Sequence, residues 1–226
     1  MRNTIFTRFL NHLEVGTLIL ALATAIAGFF CPVSAAAQDK EDVITFTLVP
    51  NPKFVNCLRA SSAEPPSARA IVFRGNLNDT LFLELDGFKP GLAFDLFTVQ
   101  RSPFLSNGTP DPAFTNFGLA WYQSDVQVAS NNDDGHVRIK TILLDQIFGF
   151  DPDVALSPTN TFHLGFWFNN PKDAQACGFD ITKPTPFNGE HNAGPLAMIS
   201  LPDATSGLGP LCTDPNDSKT PHRCNP

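Results

Sequence analysis

Over most of the chain, apolar and polar residues alternate with a period of two, the pattern that puts successive side chains on opposite faces of an extended strand. Val43 to Val49 sets Ile44, Phe46 and Leu48 against threonines and predicts a first strand. Ala70 to Arg74 is a short candidate, and Thr80 to Asp86 alternates Leu81, Leu83 and Leu85 with Phe82 and Glu84. Asp86-Gly87-Phe88-Lys89-Pro90-Gly91 then supplies a turn, because Pro90 fixes φ and Gly91 accepts φ > 0. Leu92 to Gln100 is the returning strand of that hairpin. A second hairpin is predicted from Asp125 to Ala129 through the turn Asn131 to Gly135 and back along His136 to Leu144, with Asp134-Gly135 as the turn signal.

Thr161 to Asn169 is apolar on both faces, with Phe162, Leu164, Phe166 and Phe168 opposite His163, Gly165 and Trp167, which predicts a central strand covered on both sides. Pro195 to Leu201 completes a set of roughly eight strands, the number that suits an antiparallel sandwich. Arg101 to Gly118, rich in Pro, Gly, Ser and Asn, is expected to be a long surface loop, as is the stretch from Cys177 to Gly194. Only Asp145 to Phe150 has the composition of a helical turn.

The first residues follow another plan. Basic Arg2 and Arg8 precede an apolar run from Val15 to Phe30, and Ser34-Ala35-Ala36-Ala37 ends it with small residues, the order of a cleavable secretory signal. The run is shorter than the roughly 20 residues that cross a bilayer, so cleavage is expected in preference to a retained anchor. Lipidation at Cys31 is disfavoured by the bulky Phe29 and Phe30 before it. The expected division is therefore a signal peptide at 1–37, a secreted β-sandwich domain at 38–201, and a Pro/Gly/Asp-rich, disulfide-containing tail at 202–226. The protein is expected outside the cytoplasm, extracellular or periplasmic.

Charge narrows the partners. The chain carries −7, and losing Arg2, Arg8 and Glu14 with the signal leaves −8 with no Lys/Arg cluster. Neither nucleic acid nor, after signal cleavage, a membrane is expected as a partner; what remains is an unidentified extracellular ligand or protein. Beyond the signal lie Cys57, Cys177, Cys212 and Cys224, an even number in an oxidising compartment, which predicts two disulfides with three possible connectivities. The preferred pairs are Cys57–Cys177 and Cys212–Cys224.

Chemistry leaves few marks. The sequence has no G-x-S-x-G elbow, P-loop, G-x-G-x-x-G, HExxH or EF-hand loop. No cofactor is expected; the alternative is zinc or copper held by His163 and His191, with Glu190 or Asp180 completing the set. Trp121, Tyr122 and Trp167 are candidate rings for stacking on a sugar or aromatic ligand. Carboxylate pairs for glycoside hydrolysis can be drawn from Glu84, Asp95, Asp125, Asp145 and Glu190. Asn78, Asn107 and Asn216 each open an N-x-S/T glycosylation pattern.

The segment Leu85-Asp86-Gly87-Phe88-Lys89-Pro90-Gly91 before a strand resembles the Gly-Leu-x-Pro-Gly turn of copper/zinc superoxide dismutases and related secreted sandwiches, and Pro186 to His191 resembles their metal loop. The resemblance implies a Greek-key sandwich. In that family the strand after the turn carries His-x-His copper ligands; here Asp95 and Phe97 stand there, so copper chemistry is not implied. The expected fold is all-β, an antiparallel β-sandwich of Greek-key type, immunoglobulin-like or superoxide-dismutase-like. The expected function is a non-catalytic protein that binds a ligand or partner through its long loops. The alternatives are a metal-binding protein or metalloenzyme with a His/Glu site, and a glycan-active hydrolase.

Overall fold

A computed structural model describes residues 43–61, 64–74, 78–131, 135–144, 161–183, 185 and 193–212. The expected signal peptide and the turn Asp145 to Phe150 lie outside the described residues. Among the described residues, no helix is long and apolar enough to cross a membrane.

The alternating segments form antiparallel strands. β1 (Val43–Pro50), β2 (Ser67–Phe73), β3 (Asn78–Asp86) and β6 (Val137–Leu144) pair in that spatial order. β5 (Ala120–Gln127), β4 (Ala93–Val99), β7 (Thr161–Phe168) and β8 (Leu196–Ser200) form the other half, joined to the first where β8 pairs with β1. A short β9 (Leu211–Cys212) pairs with the start of β7. The two ends of the path, β5 and β6, come near each other, so the antiparallel sheet is nearly closed into a barrel-like sandwich.

Register carries the alternation across the sheet. Ile44, Val72 and Leu81 face one another in neighbouring strands, as do Leu48, Ala68 and Leu85, and all of them are buried. From the other half, Phe94, Phe166 and Phe168 enter the same interior, with ring centroids 4.9 to 5.5 Å from Phe94. Phe88, carried by the turn before β4, packs against Phe94 at 5.6 Å. Burying each ring contributes on the order of 1.5–3 kcal/mol, so the barrel is held by strand-borne phenylalanines. Gly91 takes φ 84° in the Pro90-Gly91 turn, but that turn does not close the expected hairpin. β3 pairs with β2 and β6, and β4 with β5 and β7, so the chain crosses there from one half of the sheet to the other. β5 and β6, the strands of the second expected hairpin, stand at the two ends of the path without pairing among the described residues.

β7 is buried along its whole length. Its inner face meets the barrel core; its outer face is covered by the segment Arg101 to Gly118, which folds back over the sheet. Phe104 and Phe117 from this segment join Val99, Trp167, Leu196 and Ile199 in a second apolar cluster. The segment was expected as a surface loop, and its few apolar residues turn out to be the ones that anchor it. Gln100 fastens its far end, its side-chain oxygen accepting from the Leu119 N–H at 2.8 Å.

One end of the barrel carries a staple. A short helix α1 (Val55–Leu58) follows β1, and a 3₁₀ helix (Pro171–Cys177) follows β7, started by the Asn170 side chain accepting from Lys172 N–H at 3.1 Å. A disulfide joins Cys57 to Cys177, which are 120 positions apart in sequence, with Cα atoms 6.1 Å apart. Closing so long a loop in the unfolded chain is worth about 2–4 kcal/mol. Because β4 and β7 are antiparallel, the segment after β4 leaves from one end of the barrel and the segment after β7 from the other.

At the opposite end to the staple, Arg74 and Asp79 close the β2–β3 hairpin from inside. Nε of Arg74 lies 3.0 Å from Oδ2 of Asp79, with both side chains 4% exposed. Their contact is ionic: among the described residues, none of the three guanidinium nitrogens has an acceptor in hydrogen-bonding geometry.

Candidate functional site

Strand β5 begins at Ala120, well before the Asp125 start expected from its alternation, because a bulge interrupts the pattern. Leu96 of β4 faces Ser124, whereas the next residue, Phe97, faces Tyr122, leaving Gln123 as the extra residue. Its amide is tied down, Nε2 donating to Thr98 Oγ1 at 2.9 Å. In an unbroken strand, residues three apart point to opposite faces. Here the extra residue restores the phase, and Tyr122 and Asp125 both lie on the outer face.

Four polar and aromatic groups meet on that face. The Tyr122 hydroxyl donates to Asp125 Oδ1 at 2.8 Å. Asp95 is the cross-strand partner of Asp125, and its Oδ1 accepts from Asn169 Nδ2 at 2.8 Å. Like charges directly opposite each other destabilise a sheet; a neutral donor to each carboxylate offsets part of that cost. Asp95 is nearly buried, Asp125 is exposed, and Tyr122 is 47% exposed. Burial first, then the Asp125 hydrogen bond and the charges of Asp125 and Asp95, push the Tyr122 phenol up to about 12. It therefore stays a neutral donor at ordinary pH.

Behind the tyrosine runs a ladder of perpendicular rings. Tyr122 meets Phe97 at 5.6 Å, Phe97 meets Trp167 at 5.5 Å, Trp167 meets Phe117 at 5.1 Å, and Phe117 meets Phe114 at 4.9 Å. Edge-to-face packing of this kind fixes ring orientation. The covering segment is thus a buttress for the patch, and the exposed ring stands on a rigid support.

The three rings singled out from sequence therefore have separate places. Tyr122 faces solvent, Trp167 is 1% exposed beneath the cover, and Trp121, opposite Thr98 in the register, is on the other face of β5. Of the five carboxylates considered for hydrolysis, Asp95 and Asp125 stand together; Glu84 lies on β3, its Oε1 3.3 Å from Arg138 Nε, and Asp145 and Glu190 lie outside the described residues. Asn169 had no marker in sequence. Its role depends on which cross-strand neighbour the β4–β7 register brings to it.

His163 is 3% exposed on the outer face of β7. Nδ1 lies 3.0 Å from the Ser200 carbonyl and 3.2 Å from Ser200 Oγ, which itself accepts from Leu164 N–H at 3.1 Å. A carbonyl only accepts, so Nδ1 carries the proton. Burial outweighs this hydrogen bond and pulls the imidazole down to about 4. His191 and Glu190, its expected co-ligands for zinc or copper, lie outside the described residues. Asp180 is exposed and caps its own turn, accepting from the Thr182 N–H and hydroxyl at 3.0 and 2.6 Å. Among the described residues, no three His, Cys, Asp or Glu side chains gather in a way that would hold a metal ion. The Cys212 side chain and Cys224 also lie outside the described residues.

Asn107 sits at an exposed turn of the covering segment, its Oδ1 accepting from Thr109 N–H and Oγ1 at 3.0 and 2.6 Å; Asn78 opens β3, and Asn216 is outside the described residues. No protein-family model matches the chain, and no curated protein or solved structure matches it either.

Proposed function

We propose that this is an exported, non-catalytic binding module that engages its ligand on the outer face of β5, β4 and β7, at Tyr122, Asp125, Asp95 and Asn169. The observation that carries the reading is the bulge that brings Tyr122 and Asp125 to one face, a break in strand regularity that places a half-exposed ring beside two carboxylates. Local departures of this type tend to mark functional sites. The ring ladder supports it further, since a preorganised ring binds without ordering cost. Export is supported by the signal-like first 37 residues and by a disulfide that suits an oxidising compartment. The strand order, with β6 beside β3 and β7 beside β4, supports a Greek-key sandwich of the immunoglobulin-like or superoxide-dismutase-like kind.

A binding role fits better than hydrolysis because Asp95 is buried and held by Asn169, leaving Asp125 as the accessible carboxylate of the pair. The test is a panel of oligosaccharides, peptides and small organic cations offered to the mature, oxidised protein in parallel with Tyr122→Ala. At least one ligand class should bind the parent and lose affinity in the variant. If every ligand that binds does so equally in both proteins, the patch is not the site.

A further inference from the structure

We infer that the ligand seated on the Tyr122 patch is a glycan, one pyranose unit stacking on the exposed ring while its hydroxyls donate to Asp125. The inference rests on the proposed binding role and adds the chemistry of the ligand. A sugar ring has an apolar C–H face bordered by hydroxyl donors, so its complement is an exposed aromatic ring with oxygen acceptors at its rim. The patch has that layout. Tyr122 leaves about half of its surface to solvent and is held at right angles to Phe97, interplanar 75°. At its rim lies Asp125, exposed, whose carboxylate has two oxygens and, among the described residues, takes one donor, the Tyr122 hydroxyl. An ionised carboxylate has about four lone-pair sites, so it retains capacity for hydroxyl donors, with which hydrogen bonds are short and strong.

The alternatives fit less well. An aromatic ligand would stack on the ring and leave the carboxylate's acceptor sites unfilled. An extended peptide pairing along β5 would use its backbone edge, which does not require the bulge. The outward side chains of β4 and β5 here, Asp95, Phe97, Tyr122 and Asp125, form a compact patch about two strands wide, roughly 5 Å between strands, which suits one or two sugar units.

Three variants divide the contributions. Tyr122→Ala removes the ring, Tyr122→Phe keeps the ring and removes the hydroxyl, and Asp125→Asn keeps the shape and removes the charge. Titration calorimetry of the mature, oxidised protein with neutral hexose oligosaccharides of different linkage, and with glucosamine oligomers, reads the effect. The expected result is binding to at least one neutral oligosaccharide, weakened roughly tenfold or more by Tyr122→Ala and by Asp125→Asn, and only a few-fold by Tyr122→Phe. Since both positions are on the surface, unchanged thermal unfolding in each of the three variants separates loss of binding from loss of fold. Binding of glucosamine oligomers alone would overturn the hydroxyl assignment in favour of an ammonium group. If a peptide or organic cation bound with Tyr122 dependence while no oligosaccharide did, the glycan inference would fall and the binding role would stand. If no ligand class depended on Tyr122, both would fall.

Discussion

Tyr122 and Asp125 lie three positions apart in a β-strand and nonetheless share a face, joined by a 2.8 Å hydrogen bond that exists because Gln123 is an extra residue in β5. The bond makes the tyrosine a reporter of the patch. Tyr122 is the only tyrosine in the chain, so near-ultraviolet phenolate absorbance follows this one group. After rapid pH jumps the native protein should titrate near 12, above the usual 10. In Asp125→Asn the midpoint should move down towards 10 without reaching it, because burial is the largest cause of the shift and survives the substitution. Because the folded phenol holds its proton more tightly than the unfolded one, its contribution to stability is complete below pH 10 and is lost as pH rises to 12. A midpoint near 10 in the parent protein would contradict the geometry of the patch.

The cover over β7 makes a second prediction. Phe117 is 9% exposed and packs edge-on against Trp167. Phe117→Ala should destabilise by about 3 kcal/mol, the lower end of the range for losing a buried phenylalanine, measured by denaturant unfolding. The chain has two tryptophans, so the same experiment in a Trp121→Phe background isolates Trp167. Its emission should shift to the red as water reaches it, and Phe117→Leu should restore much of both signals. An unchanged emission would mean that the segment does not shield the ring.

How much of this was legible in the sequence depends on the range of the interaction. The strands were, because alternation is a local signal: the double-sided apolar pattern of Thr161 to Asn169 predicted the covered central strand that β7 is. The Pro90-Gly91 turn was legible for the same reason, but the hairpin expected of it was not formed, because which strands pair is set by packing between distant segments, and β3 and β4 lie in different halves of the sheet. β5 was started too late, at Asp125, because its bulge breaks the period that would reveal it, and the residues at the break, Tyr122 to Ser124, fell outside the expected strand. The segment Arg101 to Gly118 looked like a free loop because Phe104, Phe114 and Phe117 follow no period; only the outer, Trp167-bearing face of β7 gives them a partner. The Asp95, Asp125 and Asn169 cluster depends on register between strands distant in sequence, which no local pattern encodes.

His163 predicts acid sensitivity. The folded protein holds this imidazole neutral down to about pH 4, whereas the unfolded chain takes up a proton near 6.5. Its contribution is therefore fully present above 6.5 and is lost as pH falls from there towards 4. Between pH 7 and 5 the cost should be about 2 kcal/mol, from 1.36 kcal/mol per unit over the interval below 6.5. His163→Asn keeps a side-chain N–H for the Ser200 carbonyl and removes the titrating ring. Unfolding free energies at the two pH values should differ less in this variant than in the parent by about that amount; equal differences would show that other groups carry the acid response.

The buried pair Arg74 and Asp79 calls for a comparison of single and double variants. The two side chains offset each other's charge, but among the described residues the guanidinium nitrogens lack acceptors in hydrogen-bonding geometry, so the contact between the two adds little beyond neutrality. Asp79→Asn leaves a buried cation without its carboxylate and should cost about 3–5 kcal/mol. Arg74→Met with Asp79→Leu replaces both by apolar groups of similar bulk and should lie within about 1 kcal/mol of the parent, or above it, since exchanging a buried ion pair for packed hydrophobic residues is often neutral or stabilising. Chemical denaturation of the three proteins decides between the two roles for the pair. A double variant as unstable as Asp79→Asn would mean that the charges organise the β2–β3 end of the barrel through contacts that methionine and leucine cannot replace.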